Sequence, residues 1–195
     1  MDFIFLIGPS AVGKTTLAKE LYQHYKGVYI EQNMVPEFII HDDVEDERIY
    51  EEEMCWENVL AQLKFFYDKG CRNIVALDFD DVRTRELPLK FRGYDFIILK
   101  LISGDDEQIK IQMTHRNENE GGLYYLNNVE RSNQVISGRR LLPNEIAIDI
   151  AGKSKEDVFN EAIKIIDEFK PLKDYDYKLE DEHNFLSWVH SRNLK

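Results

Sequence analysis

The hydrophobic positions of the chain fall into two alternating rhythms. Short apolar runs occupy Phe3–Ile7, Val28–Glu31, Asn73–Phe79, Asp95–Ile102 and Glu145–Ile150, each with the length and composition of a strand. Ile74-Val75-Ala76-Leu77 and Phe96-Ile97-Ile98-Leu99 are apolar at every position, as a strand buried between two helical layers must be. Between the runs the period lengthens to that of a helix. Over Thr15–Tyr25, Leu17 and Leu21 lie one turn apart, and Gly27 follows as a stop signal. From about Glu45 to Lys69, the residues Ile49, Trp56, Leu60, Leu63 and Tyr67 make one stripe that Gly70 ends. Asp106–Glu118 places Ile109 and Met113 four apart. A last helix starts at Ser154, which with Asp157 forms a capping box ahead of Val158, Ala162, Ile165 and Phe169; Pro171 lies beyond its end. Strands alternating with helices predict a three-layer α/β fold around a five-stranded, mainly parallel sheet.

The chain's 195 residues match one domain, and 43% hydrophobic content suffices for a substantial core. It has no run of about 18 apolar residues, so no membrane-spanning segment is expected. The N-terminus enters a strand pattern almost at once, without the basic region and apolar stretch of a secretory signal. Two isolated cysteines, Cys55 and Cys71, are expected to stay reduced. Together these features predict a cytoplasmic protein. The formal charge of -12 repels polyanions, and no Lys/Arg-rich tract offsets it, which disfavours nucleic-acid partners.

The sharpest signal lies between the first strand and the first helix. Gly8-Pro9-Ser10-Ala11-Val12-Gly13-Lys14-Thr15-Thr16 matches G-x-x-x-x-G-K-[ST], the P-loop pattern. Gly8 and Gly13 let the backbone curl so that consecutive N–H groups turn inward. The new helix points its positive end at phosphates. Lys14 reaches the β- and γ-phosphates, and the Thr15 hydroxyl ligates Mg²⁺. The expected ligand is a nucleoside triphosphate, ATP, with Mg²⁺. The N-K-x-D motif of GTPases is absent from the sequence, and Asp149-Ile150-Ala151-Gly152 comes too late to be their switch element. Asp78 closes the third apolar run beside the P-loop and is expected to hold Mg²⁺ through water or to orient the acceptor. Phe79 follows it, where a mechanical ATPase would carry a second acid. Asp80 and Asp81 are read mainly as solvated loop acids.

Gly8–Leu17 is similar to the P-loop of guanylate kinases, and Leu77-Asp78-Phe79-Asp80-Asp81 resembles their third-strand ending. Strand Phe96–Leu101, a helix, Arg116 in His115-Arg116-Asn117-Glu118, a polar loop and Arg131 follow the same pattern. Over about residues 3–169 the chain thus resembles the nucleoside-monophosphate-kinase group of small P-loop kinases. That resemblance implies a helical or loop lid at about 116–134, hinged near Gly121-Gly122. It further implies that the lid arginines Arg116 and Arg131 contact the phosphates being transferred; with Lys14 and Asp78 they make up the expected catalytic set. Val28–Gly70 departs from the pattern. It lacks the serine, arginines and tyrosines of the guanylate-kinase nucleotide subdomain and has instead an acidic run, Asp42–Glu47, and a helix with Trp56. There the chain is more similar to small-molecule kinases of the gluconate, shikimate or antibiotic-phosphotransferase kind.

Glu31 ends the second strand, on the rim where open α/β sheets bind ligands. It is a candidate base for the acceptor hydroxyl, or simply a capping carboxylate. Arg83, with Arg48 and Arg85, is the candidate anchor for a phosphate-bearing acceptor. Arg139 and Arg140 stand before the fifth strand, within reach of adenine or phosphates, but are read mainly as arginines without a functional role. Trp56 is read as core and the five histidines as structural. The tail Lys170–Lys195 carries Tyr175, Tyr177, Phe185 and Trp188, too many aromatics for a free tail. It is expected to pack on the 1–169 domain or on a second subunit of a homodimer. The expected function is transfer of the γ-phosphoryl group of ATP to a small-molecule acceptor, whether nucleoside, nucleotide or polar metabolite. A non-catalytic nucleotide-sensing module and a polynucleotide kinase are the competing expectations.

Overall fold

The computed structural model of the chain describes residues 1–32, 45–77, 81–120 and 133–179, with the backbone alone for 45–52, 116, 117, 119 and 120. Five strands, β1 (Phe3–Ile7), β2 (Val28–Glu31), β3 (Ile74–Leu77), β4 (Phe96–Ile102) and β5 (Glu145–Asp149), form one sheet in the order β2-β3-β1-β4-β5. Every pairing in it is parallel, not merely most of them. The described helices are α1 (Lys14–His24), α2 (Glu45–Asp68), α3 (Asp81–Thr84), α4 (Leu87–Lys90), α5 (Asp106–Glu120), α6 (133–138) and α7 (Lys155–Glu168).

Successive strand residues point to opposite faces, and helices cover both. On one face Phe3, Phe5, Phe96 and Ile98 pack against Trp56, Val59, Leu60 and Leu63 of α2 and against Leu87 and Phe91. The Phe91 ring lies 4.7 Å from Phe3 and 4.9 Å from Phe5, in edge-to-face contact. On the other face Ile4, Leu6, Ile97 and Leu99 meet Leu17, Ala18 and Leu21 of α1 and Ala162 and Ile166 of α7. Trp56 is core, as its stripe position predicts; it is fully buried.

The capping box forms as expected. The Ser154 hydroxyl accepts from the Asp157 N–H at 3.1 Å, and the Asp157 carboxylate accepts from the Ser154 N–H at 3.0 Å. At the head of α5 the Asp105 carboxylate accepts from the N–H groups of Glu107 and Gln108 at 3.0 and 3.2 Å. Among the described residues no helix is long and apolar enough to cross a membrane.

The parallel register gathers the strand C-termini at one edge. Leu77 stands between Leu6 of β1 and Glu31 of β2, while Ile102 pairs with Asp149. The 8–13 loop, Glu31, the Ser103–Asp105 turn and Ile150 therefore leave the sheet on the same side. The first part of the tail lies on the domain. The Tyr175 hydroxyl donates to the Pro88 carbonyl at 2.6 Å, and the Tyr177 hydroxyl donates to the Arg85 carbonyl at 2.9 Å. Phe185 and Trp188 lie outside the described residues.

Candidate functional site

The loop after β1 turns through left-handed backbone at Gly8 (φ 148°), Ala11 (φ 63°) and Gly13 (φ 96°). At Gly8 a Cβ would overlap the Leu101 carbonyl oxygen of β4, so only glycine lets the loop leave the sheet there. Gly13 caps α1 without any side-chain oxygen, which leaves the head of the helix to an anion. Lys14 Nζ donates to the carbonyl oxygens of Gly8 and Pro9, both at 3.0 Å. The ammonium is thus held inside the loop it is expected to serve, beside Thr15 and Thr16.

This loop opens into a cavity of about 1010 Å³. Ser10 to Leu17 form one side; Gln108, Ile111, Gln112 and His115 of α5 form another; Ile150, Lys153, Ser154, Lys155 and Val158 close it. Among the described residues, Lys14, Lys19, Lys153 and Lys155 line it against a single acid, Glu20. The cavity therefore presents positive charge on a chain whose net charge is -12, the local reversal that draws in a polyanion. Gln108, Gln112, His115, Lys153 and Lys155 escaped the sequence reading. Their one visible signal was the 108, 112, 115 spacing, a polar stripe beside the buried Ile109 and Met113.

Glu31 is nearly buried, and the Tyr29 hydroxyl two residues back donates to its carboxylate. Arg83 does not line the cavity. It is 2% exposed, pairs with Glu53 at 2.7 Å and stacks over the Trp56 indole at 5.7 Å. Asp78 and Arg131 lie outside the described residues, as do Asp80 and most of the lid at 116–134; the same holds for the Arg116 side chain.

Arg139 takes a structural place, not one beside phosphates. Its guanidinium grips the Glu145 carboxylate at 2.5 and 2.9 Å and donates to Asp81 at 2.8 Å. The cause is Glu145, whose side chain is fully buried at the start of β5 and needs a counter-charge. Asp81 is correspondingly no solvated loop acid; Arg85 also reaches it, at 3.2 Å. Lys100, buried on β4, donates to the carbonyls of Ile136 and Arg139 at 2.9 Å, at the negative end of α6. Burial lowers the Lys100 ammonium pKa, and the Glu145 charge opposes that shift. At the other end of α6 the Asn133 amide pairs with the Ser103 backbone, at 3.2 and 3.0 Å, and donates to Asp106 at 2.8 Å. Both ends of α6 are thus fixed to β4 and the turn after it.

No family model matches the chain, and no curated protein matches it. Solved structures do match in three dimensions. A gluconokinase from Sinorhizobium meliloti superposes with a TM-score of 0.58 at 15% identity, covering 85% of this chain and 91% of its own. A sugar kinase from a Janibacter species superposes with a TM-score of 0.60 at 18% identity, covering 86% and 95%. Identities this low establish the fold alone, an α/β fold around a parallel five-stranded sheet.

Proposed function

We propose that the chain is an ATP-dependent kinase that transfers the γ-phosphoryl group to a small polar acceptor, with Mg²⁺. The observation that carries this reading is the glycine-bounded loop with Lys14 at its centre, opening into a lysine-lined cavity on an acidic molecule. Lys14 and the head of α1 would grip the β- and γ-phosphates, and Lys14 would follow the charge as it moves to the leaving oxygen. The Thr15 hydroxyl is a single hard oxygen at the head of α1. That suits Mg²⁺, which takes one or two protein oxygens and completes its shell with phosphate and water. When bound, the ion neutralises charge on the β- and γ-phosphates. Asp78 would be its second protein partner or would orient the acceptor. Arg116 and Arg131 would close over the transferred group from the lid.

Glu31 leaves the sheet on the edge that carries the P-loop, so it is assigned the acceptor hydroxyl proton, its carboxylate positioned by Tyr29. The acceptor is read as polyhydroxylated and unphosphorylated. The gluconokinase and sugar-kinase likenesses favour it. So does Arg83, which a monophosphate acceptor would have to draw off Glu53 and Trp56. Full-length protein with ATP, Mg²⁺ and a panel of sugars, sugar acids, nucleosides and nucleoside monophosphates provides the test. Mass spectrometry should show one phosphoryl group gained by a polyhydroxylated member. Product only on nucleoside monophosphates would return Arg83 to the acceptor site. ATP binding with no product on any member would contradict the catalytic reading.

A further inference from the structure

The carboxamide oxygens of Gln108 and Gln112 are both buried and neither has a hydrogen-bond partner among the described residues. The two residues are one turn apart on α5, so their side chains share a face. Both line the cavity that the P-loop opens into. An unpaired buried carbonyl is costly, and a structure keeps one where a partner is to arrive. Here two lie together, and both are acceptors, so the arriving group must donate.

The same cavity supplies apolar surface from two directions. Ile111, between the glutamines in sequence, is 62% exposed and lines the cavity. Ile150 and Val158 contribute from the far side, after β5 and on α7. Apolar lining from two elements, with donor-seeking amides on one of them, fits a heteroaromatic ring bearing an exocyclic amino group. With the phosphates at Lys14, that ring is the base of the nucleotide.

We propose that Gln108 and Gln112 determine which nucleotide base the site accepts, and that they select adenine through its 6-amino group. The inference rests on the nucleotide-binding reading given above. A glutamine amide pairs in bidentate fashion with the amino group and adjacent ring nitrogen of adenine. Guanine places a carbonyl oxygen at the same position and would set it against two carbonyls already lacking donors.

The test compares affinities by titration calorimetry for ATP, GTP and the triphosphate of purine riboside, which lacks the 6-amino group. All three carry the same triphosphate, so their ratio isolates the base. Wild-type protein should bind ATP about tenfold or more tightly than either of the others. Gln108→Leu and Gln112→Leu should each shrink that ratio several-fold, and the double variant should bring it close to one, with melting temperatures recorded to show each is folded. Should the leucine variants fail to fold, Gln108→Met and Gln112→Met, which keep the unbranched side-chain length and lose the amide, carry the same comparison. Equal wild-type affinities for the three triphosphates, or unchanged ratios in folded variants, overturn the assignment while leaving the nucleotide site intact. Failure of any triphosphate to bind the wild-type protein overturns the nucleotide reading and this inference with it.

Discussion

Lys14 and Glu31 carry the residue-scale content of the proposal. Lys14 already sits within 3.0 Å of two loop carbonyls, so in the free protein its charge is held in place and needs little reorganisation to meet a phosphate. Lys14→Ala should lower turnover by about 3–4 kcal/mol of barrier, the scale of one lost preorganised donor. Its melting temperature should stay close to wild type, because the side chain contributes to neither core cluster. Steady-state kinetics beside a thermal melt checks both halves. Glu31→Gln removes the assigned base and retains an oxygen for the Tyr29 hydroxyl. Turnover should drop by about 10²–10⁴-fold with ATP affinity unchanged, and wild-type turnover in this variant would reduce Glu31 to a capping carboxylate. Lys14 was legible because the P-loop pattern fixes its place between β1 and α1, and Glu31 was singled out because it ends an apolar strand. The glutamines were not, because a polar residue on a helix reads as solvated until a neighbouring element closes over it.

At the scale of elements, the long periodic segments were legible and the short ones were not. β1 and β2 have the predicted bounds, and α1, α2 and α5 match within one or two residues at each end. Each repeats its period long enough to stand out. The helices α3, α4 and α6 span four to six residues, too few for a period to show. β3 begins one residue later than its apolar run suggests, because Asn73 adopts φ 53° and turns the chain. Gly27 was read as the stop of α1, yet Lys26 takes the left-handed position, φ 52°. Gly27 still closes the helix end, its N–H donating to the Tyr22 carbonyl at 2.9 Å, and it serves a packing need besides: a Cβ there would overlap the Asn73 carbonyl. The pairing of Arg139 was not legible because its partner Glu145 starts a strand, and nothing in one sequence shows that a carboxylate at such a position is fully buried. The pair ties α6, β5 and the head of α3 together through Asp81. Arg139→Ala strands the buried Glu145 and should destabilise the protein by about 3–5 kcal/mol, measured by denaturant unfolding. A loss below about 1 kcal/mol would show the network to be dispensable.

For the molecule as a whole, pH probes how the helical layers and the tail are held to the core. The Tyr25 phenol, whose hydroxyl donates to Asp167 at 2.8 Å and so links α1 to α7, is raised in pKa by burial, by that hydrogen bond and by the Asp167 charge. Burial also raises Tyr175 and Tyr177, against the lowering influence of Arg92 and Arg85 respectively. An unfolded tyrosine ionises near pH 10, so with rising pH the unfolded chain loses these protons first. Their contribution is therefore complete below about pH 10 and is lost above it. Lys100 acts the other way: its lowered pKa makes the unfolded chain the better proton binder just below about pH 10, so its share of stability grows as pH rises to that point. The melting temperature should fall above about pH 10, and fall less steeply in Tyr25→Phe; identical slopes would remove Tyr25 from the account. On the same whole-molecule scale, an acidic chain concentrates lysines around one cavity behind a phosphate-gripping loop. The most direct measurement of that central claim is titration calorimetry of ATP with Mg²⁺ into the full-length protein and into Lys14→Ala. The account predicts one saturable site per chain, weakened at least about tenfold in Lys14→Ala, as befits the loss of a charge-assisted phosphate contact. No binding to the wild-type protein, or undiminished affinity in a folded Lys14→Ala variant, would contradict it.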